Sequence, residues 1–76
     1  MRQNLSLLTI GKLAVIHSIT NSEIAEHLFE MGCFPGEYVT VTQKAPAGDP
    51  IMVKVGGHYI GIRKNEAKYI EVEVDE

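Results

Sequence analysis

The sequence predicts a mainly β fold: a small barrel of about five short strands with one short α-helix. Three observations carry that prediction. The chain has 76 residues, too few for a two-sheet sandwich. Its second half repeats apolar residues with period two, the signature of half-buried strands. Only one stretch shows the three- and four-residue spacing of an amphipathic helix. Closing short strands into a barrel hides their edges.

The elements follow in order. Leu5 to Lys12 is apolar at first and ends in the turn signal Thr9-Ile10-Gly11-Lys12. Leu13 to Ile19 is rich in β-branched residues and reads as a strand. Its inward face is ambiguous, since both Leu13-Val15-His17-Ile19 and Ala14-Ile16 alternate. A bulge would let Ile16 and Ile19 both reach the core. Thr20 and Glu23 have the spacing of a capping box, which opens the helix at Thr20. Ile24, Leu28 and Met31 then form its apolar stripe, and Glu23, Glu26, His27 and Glu30 its wet face. Gly32 supplies a left-handed C-terminal cap, and Pro35 bars continuation. The helix is expected to plug one mouth of the barrel.

After the Pro35-Gly36 turn, Glu37 to Gln43 alternates Val39 and Val41 with threonines. Ile51 to Val55 alternates Ile51, Val53 and Val55 with Met52 and Lys54. Gly56-Gly57 gives a two-residue hairpin turn, because glycine accepts positive φ at both positions. The return strand His58 to Ile62 places His58, Ile60 and Ile62 on one face. Lys64 to Lys68 fits a single helical turn. Tyr69 to Val74 is the last strand, with Ile70, Val72 and Val74 inward. The whole of 1–76 is expected to be one domain.

Composition restricts function. Seven basic residues lie scattered among ten acidic ones, for a net charge of −3. A phosphate-binding surface needs clustered Lys and Arg, so nucleic acid and an anionic membrane surface are poor partners. The single cysteine, Cys33, cannot form an internal disulfide, which fits a reducing, cytoplasmic compartment. The N-terminal segment lacks an unbroken apolar run and a cleavage site, and no window reaches the length of a membrane span. So small a scaffold weighs against a deep catalytic cleft, and no nucleophile elbow or phosphate-cradling loop is present. The chain reads as a binding module and not as an enzyme.

Several constellations bear on binding. Glu23, His27 and Glu30 form a carboxylate–imidazole–carboxylate row along one helix face. Such a row could hold a divalent cation, but charged residues normally occupy a solvated face. The row also lacks a fourth ligand and a partner to orient the imidazole. Cys33 follows the helix C-terminus, where the dipole disfavours a thiolate, so a structural, half-buried role is expected. The loop Ala45-Pro46-Ala47-Gly48-Asp49-Pro50 is stiff, and a stiff loop loses little entropy on binding. Phe29, Phe34 and Pro46 are the expected partner-binding anchors.

Three runs carry a family resemblance. Met31-Gly32-Cys33-Phe34-Pro35-Gly36-Glu37-Tyr38-Val39 resembles the Leu/Met-Gly-x-x-Pro-Gly-x-x-Val signature of the FeoA family, ferrous iron transport protein A. Ala45-Pro46-Ala47-Gly48-Asp49-Pro50-Ile51 is similar to its Ala-Pro-x-Gly-Asp-Pro loop. Gly61-Ile62-Arg63-Lys64-Asn65-Glu66-Ala67 is similar to its Arg-x-x-Glu-Ala segment, with Ile62 in place of leucine. All three occur in the family's order and spacing. The resemblance implies an SH3-like barrel and a cytoplasmic accessory role in bacterial ferrous iron uptake. The implied partner is the membrane permease ferrous iron transport protein B, through its cytoplasmic GTP-binding part. It implies no catalytic residues and no tightly bound cofactor, at most a weakly held divalent metal such as Fe2+. The motif residues Met31, Gly32, Pro35, Gly36, Ala45, Pro46, Gly48, Asp49, Pro50, Arg63, Glu66 and Ala67 then read as architectural, with Arg63 and Glu66 as a local ion pair. Self-association of the domain is compatible with this reading. The alternative is a metal-sensing SH3-like domain, similar to the C-terminal domain of iron-dependent repressors, acting in trans.

Overall fold

A computed structural model of the chain describes residues 1–74. Six strands form one antiparallel sheet: β1 (Arg2–Asn4), β2 (Leu13–Ile19), β3 (Tyr38–Lys44), β4 (Ile51–Val55), β5 (His58–Ile62) and β6 (Ile70–Val74). Helix α1 (Ser22–Glu30) joins β2 to β3, and the single turn α2 (Lys64–Ala67) joins β5 to β6. Short 3-10 turns lie at Leu5–Leu7 and Pro46–Gly48. The strand order is β1-β6-β2-β3-β4-β5.

The fold is mainly β, as the period-two patterns require. In β3 to β6 the inward residues Val39, Val41, Ile51, Val53, Val55, Ile62, Ile70 and Val72 are all buried. The ambiguity in β2 resolves as Ala14 and Ile16 inward. A register break between Ile16 and Ser18, where β2 meets β6, then turns Ile19 back against the core. This is the extra-residue bulge that the pattern asked for. Leu28 of α1 is buried in the core, with Ile24 and Met31 half-buried beside it.

Three expectations need correction. The sheet has six strands, because β1 pairs with β6 through Arg2↔Glu73, Gln3↔Val72 and Asn4↔Glu71. Arg2–Asn4 has no alternation to announce it; a free edge of β6 and the demand to bring Leu5 and Leu8 into the core place it there. Both leucines are buried. Closure is incomplete, since no ladder joins β1 to β5 among the described residues. The helix starts one residue late: Asn21 is the N-cap, and its Oδ1 accepts from the Ile24 amide at 3.0 Å. Thr20 instead donates its hydroxyl to the Tyr69 carbonyl at 3.2 Å and its amide to the same oxygen at 2.8 Å. His58, Ile60 and Ile62 share one face as expected, opposite Val55, Val53 and Ile51, with His58 exposed at the hairpin mouth.

Candidate docking site

The end of α1 is fixed by two left-handed glycines and a set of backbone hydrogen bonds. Gly32 adopts φ +85°, the left-handed conformation that lets a chain turn out of a helix. The amides of Met31 and Cys33 both donate to the Leu28 carbonyl, at 3.0 and 2.9 Å, and Gly32 donates to Phe29 at 3.0 Å. Gly36, at φ +93°, turns the chain again and donates to the Ile16 carbonyl at 2.8 Å. The Ile16 amide returns a bond to Glu37 at 2.9 Å. The segment between helix and β3 is thus pinned to the sheet.

That double turn drives Cys33 inward and holds Phe34 outward. The ring of Phe34 stacks on Phe29, from the last turn of α1, with centroids 5.2 Å apart and planes inclined by 14°. The two side chains remain 44% and 39% exposed. Isolated exposed apolar side chains are ordinary. A stacked pair on a pinned turn is different: each ring fixes the other, so little freedom is left to lose when a partner covers them. The Cys33 thiol is buried and its pKa is pushed up to about 11, first by burial and then by the Glu37 carboxylate. It stays protonated at neutral pH, which with its burial makes it a poor nucleophile there. It is more deeply buried than the sequence led us to expect.

The other expected residues occupy different places. Glu23, His27 and Glu30 are exposed on α1. His27 reaches toward α2, its Nε2 3.5 Å from Glu66 Oε2. Among the described residues no three His, Cys, Asp or Glu side chains gather closely enough to hold a metal ion. Pro46 is exposed on its loop, which closes on itself through Ala45 N–H to the Pro50 carbonyl at 3.0 Å and Gly48 N–H to the Ala45 carbonyl at 2.7 Å. The loop is tied to α2, because Asp49 Oδ1 accepts from the Lys64 amide at 3.0 Å. The structure therefore joins Phe29 and Phe34 directly, while Pro46 lies on a loop tied to α2, whose Glu66 approaches His27.

Asp49 as the N-terminal partner of α2 was missed by sequence reasoning. It lies fifteen residues before the amide that it accepts from, so no local capping pattern reveals it. The predicted Arg63–Glu66 ion pair is also replaced. Glu66 Oε1 accepts from the Arg63 backbone amide at 3.1 Å, an orphan donor at the start of a helix, and its other oxygen faces His27. Ala67, the last residue of α2, is buried. No helix among the described residues is long and apolar enough to cross a membrane.

Comparison with known proteins agrees with this fold. A Porphyromonas gingivalis protein, "Fe(2+) transport protein A/Fe(2+) transporter FeoB fusion protein", is 34% identical over 71 residues. The match covers 92% of this chain but only 8% of that much longer relative. The solution structure of iron(II) transport protein A from Clostridium thermocellum superposes with a TM-score of 0.90 at 46% identity, covering 95% of this chain and 45% of that one. The FeoA of Stenotrophomonas maltophilia, crystallised in complex with zinc and described as an SH3 domain protein, gives 0.79 at 36% identity, covering 93% and 89%. The model of the FeoA domain matches residues 3–74, so this chain belongs to the FeoA family, with the SH3-like fold of its relatives.

Proposed function

We propose that the chain is a non-catalytic accessory protein of ferrous iron uptake that works in the cytoplasm by docking on the membrane permease, ferrous iron transport protein B. The stacked, exposed Phe29–Phe34 pair carries this reading. It offers preformed aromatic area, the kind of surface that dominates binding energy at protein interfaces. The P. gingivalis relative supports the choice of partner, because there an Fe(2+) transport protein A segment and an Fe(2+) transporter share one chain. A permanent covalent link is sensible where two domains must meet to act. Ferrous iron is then the permease's cargo, and this domain holds divalent metal weakly at most, through exposed carboxylates and His27.

Calorimetric titration against the permease's soluble GTP-binding domain tests the proposal. Phe34→Ala should weaken binding about tenfold or more, as loss of a central aromatic anchor does. Its amide spectrum should remain as dispersed as the parent's. Equal affinity for the two proteins would remove the aromatic pair from the interface.

A further inference from the structure

The sheet ends at β5, and this edge lacks the devices that normally blunt one. It has no proline, no bulge and no charged side chain in His58–Ile62, whereas the opposite edge, β1, is only three residues long. Natural edge strands are protected by such features because an open edge invites another strand. In a two-residue hairpin the closing pair, here Val55 and His58, exchanges both ladder bonds. The bonds to β4 then recur at Ile60 and Ile62. The N–H and C=O groups of Tyr59 and Gly61 therefore point off the free edge, and no hydrogen bond is made to them among the described residues.

We propose that β5 is a self-association edge, on which a second copy of this chain pairs antiparallel about a two-fold axis at Ile60. The occupant follows from self-complementarity. In that register Tyr59 of each copy stands opposite Gly61 of the other, and the two pairs form four hydrogen bonds. Opposite residues share a face, so each Tyr59 ring lies over the bare Cα of the other copy's Gly61. A cross-strand aromatic covering a strand glycine is a recognised stabilising pair. Tyr59 is 63% exposed. Among the described residues beyond its chain neighbours, the Met52 methyl alone comes within 4 Å of where a Cβ on Gly61 would stand, at 4.0 Å, which leaves room for the ring. No charge in β5 meets a like charge across the axis, and Ile60 would meet its own copy on the core side. Five residues a side bury well below the roughly 1,200 Å² of a stable interface, so the dimer is weak and forms at high protein concentration. This surface is distinct from the aromatic pair on α1, and the inference does not depend on the permease.

Sedimentation equilibrium and amide exchange between about 20 μM and about 1 mM test it, a range suited to so small an interface. The average mass should climb from one protomer toward two, with protection of the Tyr59 and Gly61 amides rising in step. Gly61→Pro removes only an outward N–H, a position where an edge strand accepts proline, and it should abolish both effects. Tyr59→Lys should do the same while leaving the far-ultraviolet spectrum unchanged. Three results would each overturn the proposal: a monomer at the highest concentration, a dimer that survives both variants, and protection of these amides only when the permease domain is added.

Discussion

Gly32 is held to glycine twice over. Its φ of +85° strains any other residue, and an added Cβ would stand 3.3 Å from His58 Nε2. Gly32→Ala should therefore lower unfolding stability by about 1 to 2 kcal/mol, and urea denaturation would register it. The neighbouring Cys33 makes a prediction in pH. A folded-state pKa raised from 9.0 to about 11 means that the folded protein keeps its proton where the unfolded chain has lost it. Stability is thus unaffected by this group below about pH 9 and falls as pH rises from about 9 toward 11, by about 2 kcal/mol at most. Cys33→Ser should remove the slope, and alkylation of the parent protein at pH 8 should be slow until denaturant is added. Both effects were half-visible in the residue types. A glycine after an apolar helix stripe announces a cap, but the histidine packed against it comes from a strand 26 positions later, beyond the reach of any local pattern.

The helices show how far local chemistry can be read. The apolar stripe Ile24-Leu28-Met31 was legible, because three- and four-residue spacing places side chains on one face whatever the surroundings. The cap was not: Thr20 and Asn21 are both good caps by type, and the choice is made by the Tyr69 carbonyl, which takes up both the Thr20 hydroxyl and its amide. Asn21→Ala should accordingly cost about 1 kcal/mol in thermal unfolding, and Thr20→Ala measurably less. For α2, Asp49 supplies the long-range oxygen at the first turn. Asp49→Ala should raise amide exchange at Lys64 several-fold while leaving exchange in the β4–β5 hairpin unchanged. A uniform loss of protection would instead show that the loop supports the whole sheet.

Across the molecule, alternation in β3 to β6 was enough to give the β class and most of the core, since a half-buried strand must write its burial into every second residue. What alternation cannot supply is the far end of the sheet. Arg2–Asn4 became a strand because β6 had an edge to offer, and the barrel stayed open because no ladder joins β1 to β5 among the described residues. The candidate site was legible as residues and not as a place. Phe29 and Phe34 were identifiable as apolar side chains around a helix end, but their stacking depends on the bond from the Gly36 amide to the Ile16 carbonyl and the one from the Ile16 amide to the Glu37 carbonyl, which only the folded sheet provides. The account as a whole rests on that aromatic pair being the face that meets the permease. The most direct measurement is an amide-shift titration of the isotopically labelled chain with the permease's GTP-binding domain. Shifts concentrated at Phe29, Met31, Gly32 and Phe34, and lost with Phe34→Ala, are the expected outcome; shifts confined to the outer sheet face around Leu13 and Tyr38, with the α1 end undisturbed, would contradict it.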